Sequence, residues 1–141
     1  MKKRISLSVL SCVLVVLIAV TALTGCTLGK TGAGSVVNEG DIGKGGTSFA
    51  FEVTDDKSVV TKFTVFTDEE TVGAALLEVG LIEGDESDFG LYVKVVNGVK
   101  ADYDADQAYW AFYVNGEFAL SGVDTTEIEP GKIYAFIYTK A

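Results

Sequence analysis

The pair Asn-Gly occurs twice, at 97–98 and at 115–116, each time after an apolar run. Both residue types tolerate the left-handed backbone that a two-residue hairpin turn requires, so each pair predicts a tight chain reversal. The first closes a strand over Leu91–Val96, which returns through Val99-Lys100-Ala101. The second joins a strand over Tyr109–Val114 to Glu117–Leu120. Val-Asn-Gly recurs at both places, but the flanking segments match poorly, which reads as two separate hairpins rather than a duplicated unit.

Other segments carry the same period of two. Phe49-Ala50-Phe51-Glu52-Val53 alternates, Asp55-Asp56-Lys57 is a turn, and Val59–Thr67 puts Val59, Thr61, Phe63, Val65 and Thr67 on one face. These predict a hairpin. In the Tyr109–Val114 strand, Trp110, Phe112 and Val114 share one face, and Tyr109, Ala111 and Tyr113 the other. Pro130-Gly131 turns into a last strand over Ile133–Thr139, where Ile133, Ala135 and Ile137 oppose Tyr134, Phe136 and Tyr138. Between the first and second groups of strands the period changes. Val72, Ala75, Leu76 and Val79 fall at helical spacing, with Asp68 or Thr71 as cap and Gly80 as the stop. Gly73 lies inside that helix, where it permits close approach to the sheet. The acidic run Glu83–Asp88 reads as a loop. Two strands, a helix and several short strands define an α+β domain in which one helix packs across a mixed sheet.

The N-terminus belongs to a different class of segment. Lys2, Lys3 and Arg4 precede Ile5–Leu28, which carries no charge and is mostly aliphatic. This is the order of an export signal. Leu23-Thr24-Gly25-Cys26 resembles the lipobox of bacterial lipoproteins, in which the cysteine is lipidated and becomes the new N-terminus. The resemblance implies a signal peptide over 1–25, lipidation of Cys26 and attachment to the extracytoplasmic face of the cell membrane. An uncleaved membrane anchor and a plain secreted protein are the alternatives, and all three place the residues after Cys26 outside. The only other cysteine, Cys12, lies within the leader, so the mature chain is expected to lack a disulfide and a thiol nucleophile. Residues 27–46 are rich in Gly, and 26–47 read as the lipidated residue and a flexible tether to a domain over 48–141.

The full chain has a net charge of -9, and loss of Lys2, Lys3 and Arg4 with the leader takes the mature chain to about -12. That balance excludes nucleic acid, which needs a basic surface. The chain contains no His. The commonest general base near neutral pH is therefore absent, and no sequence pattern activates a Ser or Thr, so a binding module is expected rather than an enzyme. Asp102, Asp104 and Asp106 imitate half of a calcium loop, but the required Gly and Glu positions hold Gln107 and Tyr113. A solvated acidic loop is the expectation, with a weak calcium site of another kind as the alternative.

Gly90-Leu91-Tyr92-Val93, Val96-Asn97-Gly98, the run Tyr109–Glu117, Gly122-Val123-Asp124, Pro130-Gly131-Lys132 and Phe136–Thr139 occur in an order that resembles a known family. It is the domain-of-unknown-function family DUF4430, related to the C-terminal domain of transcobalamin and intrinsic factor. The Thr71–Gly80 helix also resembles that family's pattern. The resemblance implies a β-grasp-like mixed sheet with one packed helix and extra β-hairpins. In the vitamin carriers this domain covers cobalamin together with a separate helical domain.

The candidate ligand-binding residues are Tyr109, Trp110, Tyr113, Leu120, Val123 and Asp124. Trp110 either stacks on a flat ligand or forms core under the helix with Phe112 and Val114; Tyr109 and Tyr113 are then the outward pair. The resemblance places the 122–124 loop near the ligand. Asp124 would accept a hydrogen bond from a ligand amide, or cap the turn at Thr125-Thr126. The expected function is a lipid-anchored extracellular ligand-binding module that requires no cofactor. By the resemblance its ligand is cobalamin or another corrinoid, captured for uptake with a transporter or second binding domain. The alternative is a surface adhesion or assembly module that binds protein or envelope polymer.

Overall fold

The computed structural model describes residues 39–141. The leader, Cys26 and the part of the tether before residue 39 lie outside the described residues. The first long hairpin pairs β2 (Thr47–Thr54) with β3 (Val60–Thr67) in register, with Phe51 opposite Phe63 and Thr54 opposite Val60. Its turn is held by Asp55, whose Oδ1 accepts from the amides of Lys57 and Val59 at 2.9 and 2.8 Å. Phe49, Phe51, Val53, Phe63, Val65 and Thr67 are buried, the face that the alternation predicts.

The last strand, β9 (Ile133–Lys140), runs parallel to β2 and antiparallel to β7 (Ala108–Val114), which turns into the two-residue β8 (Glu117–Phe118). With β1 (Gly40–Gly43) parallel to β3, the six-stranded sheet has the order β1-β3-β2-β9-β7-β8. A second, antiparallel sheet is built from β4 (Ile82–Ser87), β5 (Gly90–Val96) and β6 (Val99–Lys100). The mixed main sheet, one packed helix and the added hairpins are the α+β architecture expected from the sequence. Both Asn-Gly pairs lie at φ values of hairpin turns, 47° and 78° at Asn97 and Gly98, and 51° and 80° at Asn115 and Gly116.

Helix α1 (Val72–Glu78) starts at Thr71, whose Oγ1 accepts from the Ala74 amide at 3.3 Å. Asp68, the other candidate cap, instead accepts from the Gly46 amide at 2.8 Å. Gly80, at φ 70°, closes the helix: its amide donates to Leu77 O at 3.1 Å and that of Leu81 to Leu76 O at 2.9 Å. This double bond pattern satisfies the terminal carbonyls and needs a residue in the left-handed region. Val72, Ala75 and Leu76 are fully buried. The close approach that Gly73 permits is to a single 3₁₀ turn (Val123–Thr125), not to the sheet.

Four boundaries differ from the sequence reading, each for a local reason. The sheet begins at Gly40, within the segment read as tether. Gly43 and Gly45 serve contact: a Cβ would stand 2.2 Å from the Phe66 carbonyl oxygen at the first and 2.0 Å from the Thr67 carbonyl carbon at the second. The acidic run read as a loop contains β4, which pairs with β5 through an irregularity between Glu83 and Gly84. Its carboxylates stay out of the core: Glu83 is half-buried, and Asp85 and Glu86 are exposed on an edge strand. The acidic triplet forms a short helix, α2 (Tyr103–Asp106), capped by Asp102, and β8 stops at Phe118 rather than Leu120.

The core is aromatic. Tyr134 is fully buried, stacked on Phe112 at 6.4 Å and edge-on to Phe49 at 5.5 Å. Its hydroxyl donates to Glu127 O at 3.1 Å and accepts from the Glu129 amide at 2.8 Å, which ties the segment before β9 to the sheet. Tyr134→Phe is expected to cost about 1–3 kcal/mol, since it strands two backbone groups beside the core. An unchanged urea midpoint would show those groups find other partners.

Candidate functional site

A cleft near the predicted residues lies where β5, β7 and the 3₁₀ turn meet. Leu91, Tyr92 and Val93 line it from β5, Tyr109, Trp110 and Phe112 from β7, with Gly122, Val123 and Phe136 completing the wall. Its volume is about 140 Å³. β6 pairs only with Val95 and Val96 of β5, and β8 only with Tyr113 and Val114 of β7. The cleft therefore lies beside stretches of β5 and β7 that those short strands leave uncovered.

Trp110 belongs to the core and to the cleft at once. It is 6% exposed, its Nε1 donates to Val99 O at 3.1 Å, and Tyr138 stands edge-on to its ring at 5.4 Å. The indole is thus pinned between the two sheets and cannot swing out to stack on a ligand. Burial, and then the negative charges of Asp106 and Asp56, raise the Tyr138 phenol above its ordinary pKa.

Among the other candidates, Tyr109 and Val123 join Trp110 on the cleft. Tyr113 does not line the cleft and stands edge-on to Phe118 at 5.7 Å. Leu120 is fully exposed and does not line the cleft. Asp124 does not cap its turn: Thr125 and Thr126 close it, their hydroxyls donating to Gly122 O at 3.1 and 2.8 Å. Oδ1 of Asp124 is buried and has no hydrogen-bond partner. The contribution of β5 was missed. Tyr92 follows the apolar pattern of its strand, and nothing local marks it as facing a cleft.

The acidic triplet does not converge on a point. Asp102 Oδ1 accepts from the amides of Asp104 and Ala105 at 3.1 and 3.2 Å, and its Oδ2 pairs with Lys100 at 3.1 Å. The Ala105 amide first, and the lysine next, hold this carboxyl below its ordinary pKa. Among the described residues no group of three or more His, Cys, Asp or Glu is placed to hold a metal ion.

The mixed sheet, crossing helix and side sheet define a small α+β module with a shallow cleft. Residues 69–140 match the model of the family described as Domain of unknown function (DUF4430), and the chain belongs to that family. A protein of Ruminococcus gnavus ATCC 29149 for which metal binding has been proposed, solved at 1.30 Å, is similar in structure, with 22% identity and a TM-score of 0.64. The match covers 67% of this chain and 98% of that one. Haptocorrin, solved in complex with Cbi, is similar at 20% identity and a TM-score of 0.50 over 66% of this chain. The chain corresponds to 25% of haptocorrin's length. No curated protein matches the chain. At these identities the likeness is one of fold.

Proposed function

We propose that the chain is an extracytoplasmic binding module, carried on lipid at Cys26, whose cleft forms one wall of a corrinoid site that a partner protein completes. The observation that carries this reading is the cleft itself: aromatic, open, and about 140 Å³. Enclosed small-molecule sites run to about 300–1,000 Å³, so this cleft holds part of a large ligand and leaves the rest to a second surface. The fold it shares with a quarter of haptocorrin supports the same division. The partner would be a transporter component or a second binding domain. The absence of His, with no activated nucleophile in the sequence, favours binding over catalysis. The adhesion reading draws support from Phe89 and Leu120, 98% and 101% exposed.

Calorimetric titration of the mature chain with cobinamide is the test. With only one wall present, weak binding is expected, with Kd on the order of 100 μM, or about -5 kcal/mol. No heat at millimolar ligand overturns the reading and leaves adhesion.

A further inference from the structure

We propose that Asp124 is the pairing group for an organic cation, and that the portion of a ligand the cleft takes is an amine borne on a single apolar ring. The inference rests on the reading of the cleft as a ligand site and assigns the chemistry of what enters it. Asp124 Oδ1 is buried without a hydrogen-bond partner. The carboxylate is cradled by two glycines brought together from β5 and the segment before the 3₁₀ turn. A Cβ on Gly90 would stand 2.7 Å from Oδ2, and one on Gly122 would stand 2.5 Å from Oδ1. Any side chain at either position would displace the carboxylate.

The cradle adjoins the cleft, since Gly122 lines it and Gly90 precedes Leu91, which also lines it. A buried carboxylate oxygen left unpaired costs more than a neutral polar atom in the same place. None of the ion pairs among the described residues reaches Asp124: Lys62, Lys94, Lys100 and Lys132 pair with Glu52, Asp85, Asp102 and Glu129. Asp124 as a whole is only half-buried, so its carboxylate can take a partner at the edge of the cleft, and a cation answers the charge as well as the hydrogen bond. The net charge of -9 favours the same sign of ligand at longer range. Size sets the rest. A cavity of about 150 Å³ accommodates benzene, and this cleft, at about 140 Å³, has room for one ring of that kind against Trp110, Phe112 and Val123.

Trp110 is the only Trp in the chain and lines the cleft, so its fluorescence reports occupancy directly. The mature chain is titrated with benzylamine, protonated at neutral pH, and with benzyl alcohol and benzoate. Benzylamine is expected to shift the emission and to bind at least about tenfold more tightly than the alcohol, with benzoate weaker still. Asp124→Asn is expected to remove that preference while leaving the response to benzyl alcohol intact. Equal affinities for amine and alcohol in the unaltered chain overturn the proposal without recourse to any variant. So does an amine preference that survives Asp124→Asn, or the absence of any response. Cobinamide titrated in parallel separates the two readings. If it binds while benzylamine shows no preference, the cleft remains a ligand site and only the cation is wrong. If neither binds, the site itself is wrong.

Discussion

Gly73→Ala is expected to destabilise the domain by about 2 kcal/mol, although alanine is the better helix former. By propensity alone the change should gain up to about 1 kcal/mol in a helix interior. Here the new Cβ would stand 2.6 Å from the Cα of Asp124, 2.8 Å from its amide nitrogen and 2.9 Å from the carbonyl carbon of Val123. All three are backbone atoms and cannot rotate away. Either α1 or the 3₁₀ turn must move, and overpacking of that kind costs about 1–3 kcal/mol. The turn carries Val123, which is buried, and Asp124, so the loss should reach the cleft as well as the core. Urea unfolding gives the sign directly. A midpoint equal to or above that of the parent would mean that the helix and turn separate at little cost.

Trp110→Ala is expected to cost about 3–5 kcal/mol, the range for removal of a large buried aromatic side chain. The indole packs beneath Tyr138 and holds the two sheets together through its bond to Val99 O. Truncation leaves that carbonyl without its donor as well as opening a void. Trp110→Phe separates the two contributions, since it retains much of the packing and loses the donor. Thermal unfolding of both variants is the measurement. Near-native stability of Trp110→Ala would show that the sheets are held together elsewhere.

The helix was legible in full because its signals are local. Thr71 caps, Val72, Ala75 and Leu76 make the stripe, and Gly80 ends it. The hairpins were legible for the same reason, since Asn-Gly dictates its own backbone. What the sequence hid depends on neighbours distant along the chain. β4 carries carboxylates on an edge strand, a composition that reads as loop until β5 pairs with it. In β1, Gly43 is required by contact with β3, where a Cβ would stand 2.2 Å from the Phe66 carbonyl oxygen, while the same glycine in isolation signals a tether. Within the site, the alternation of β7 left Trp110 open between core and ligand surface, and its position on both appears only once β5 is placed. Asp124 was singled out for a ligand or a cap. Its setting is a product of folding, because Gly90 of β5 and Gly122 meet around its carboxylate only when the side sheet closes on the turn.

The order of the main sheet has a consequence for how such a domain is carried. β1 is parallel to β3, β3 antiparallel to β2, and β2 parallel to β9, so β1 runs opposite to β9. The chain therefore enters and leaves by the same end of the sheet. The turns at Asn115-Gly116 and Pro130-Gly131 lie at the other. With three strand spacings of about 4.8 Å between those two strands, a domain held by the segment before β1 would present those two turns away from its point of attachment. Its far end would then project as a free tip.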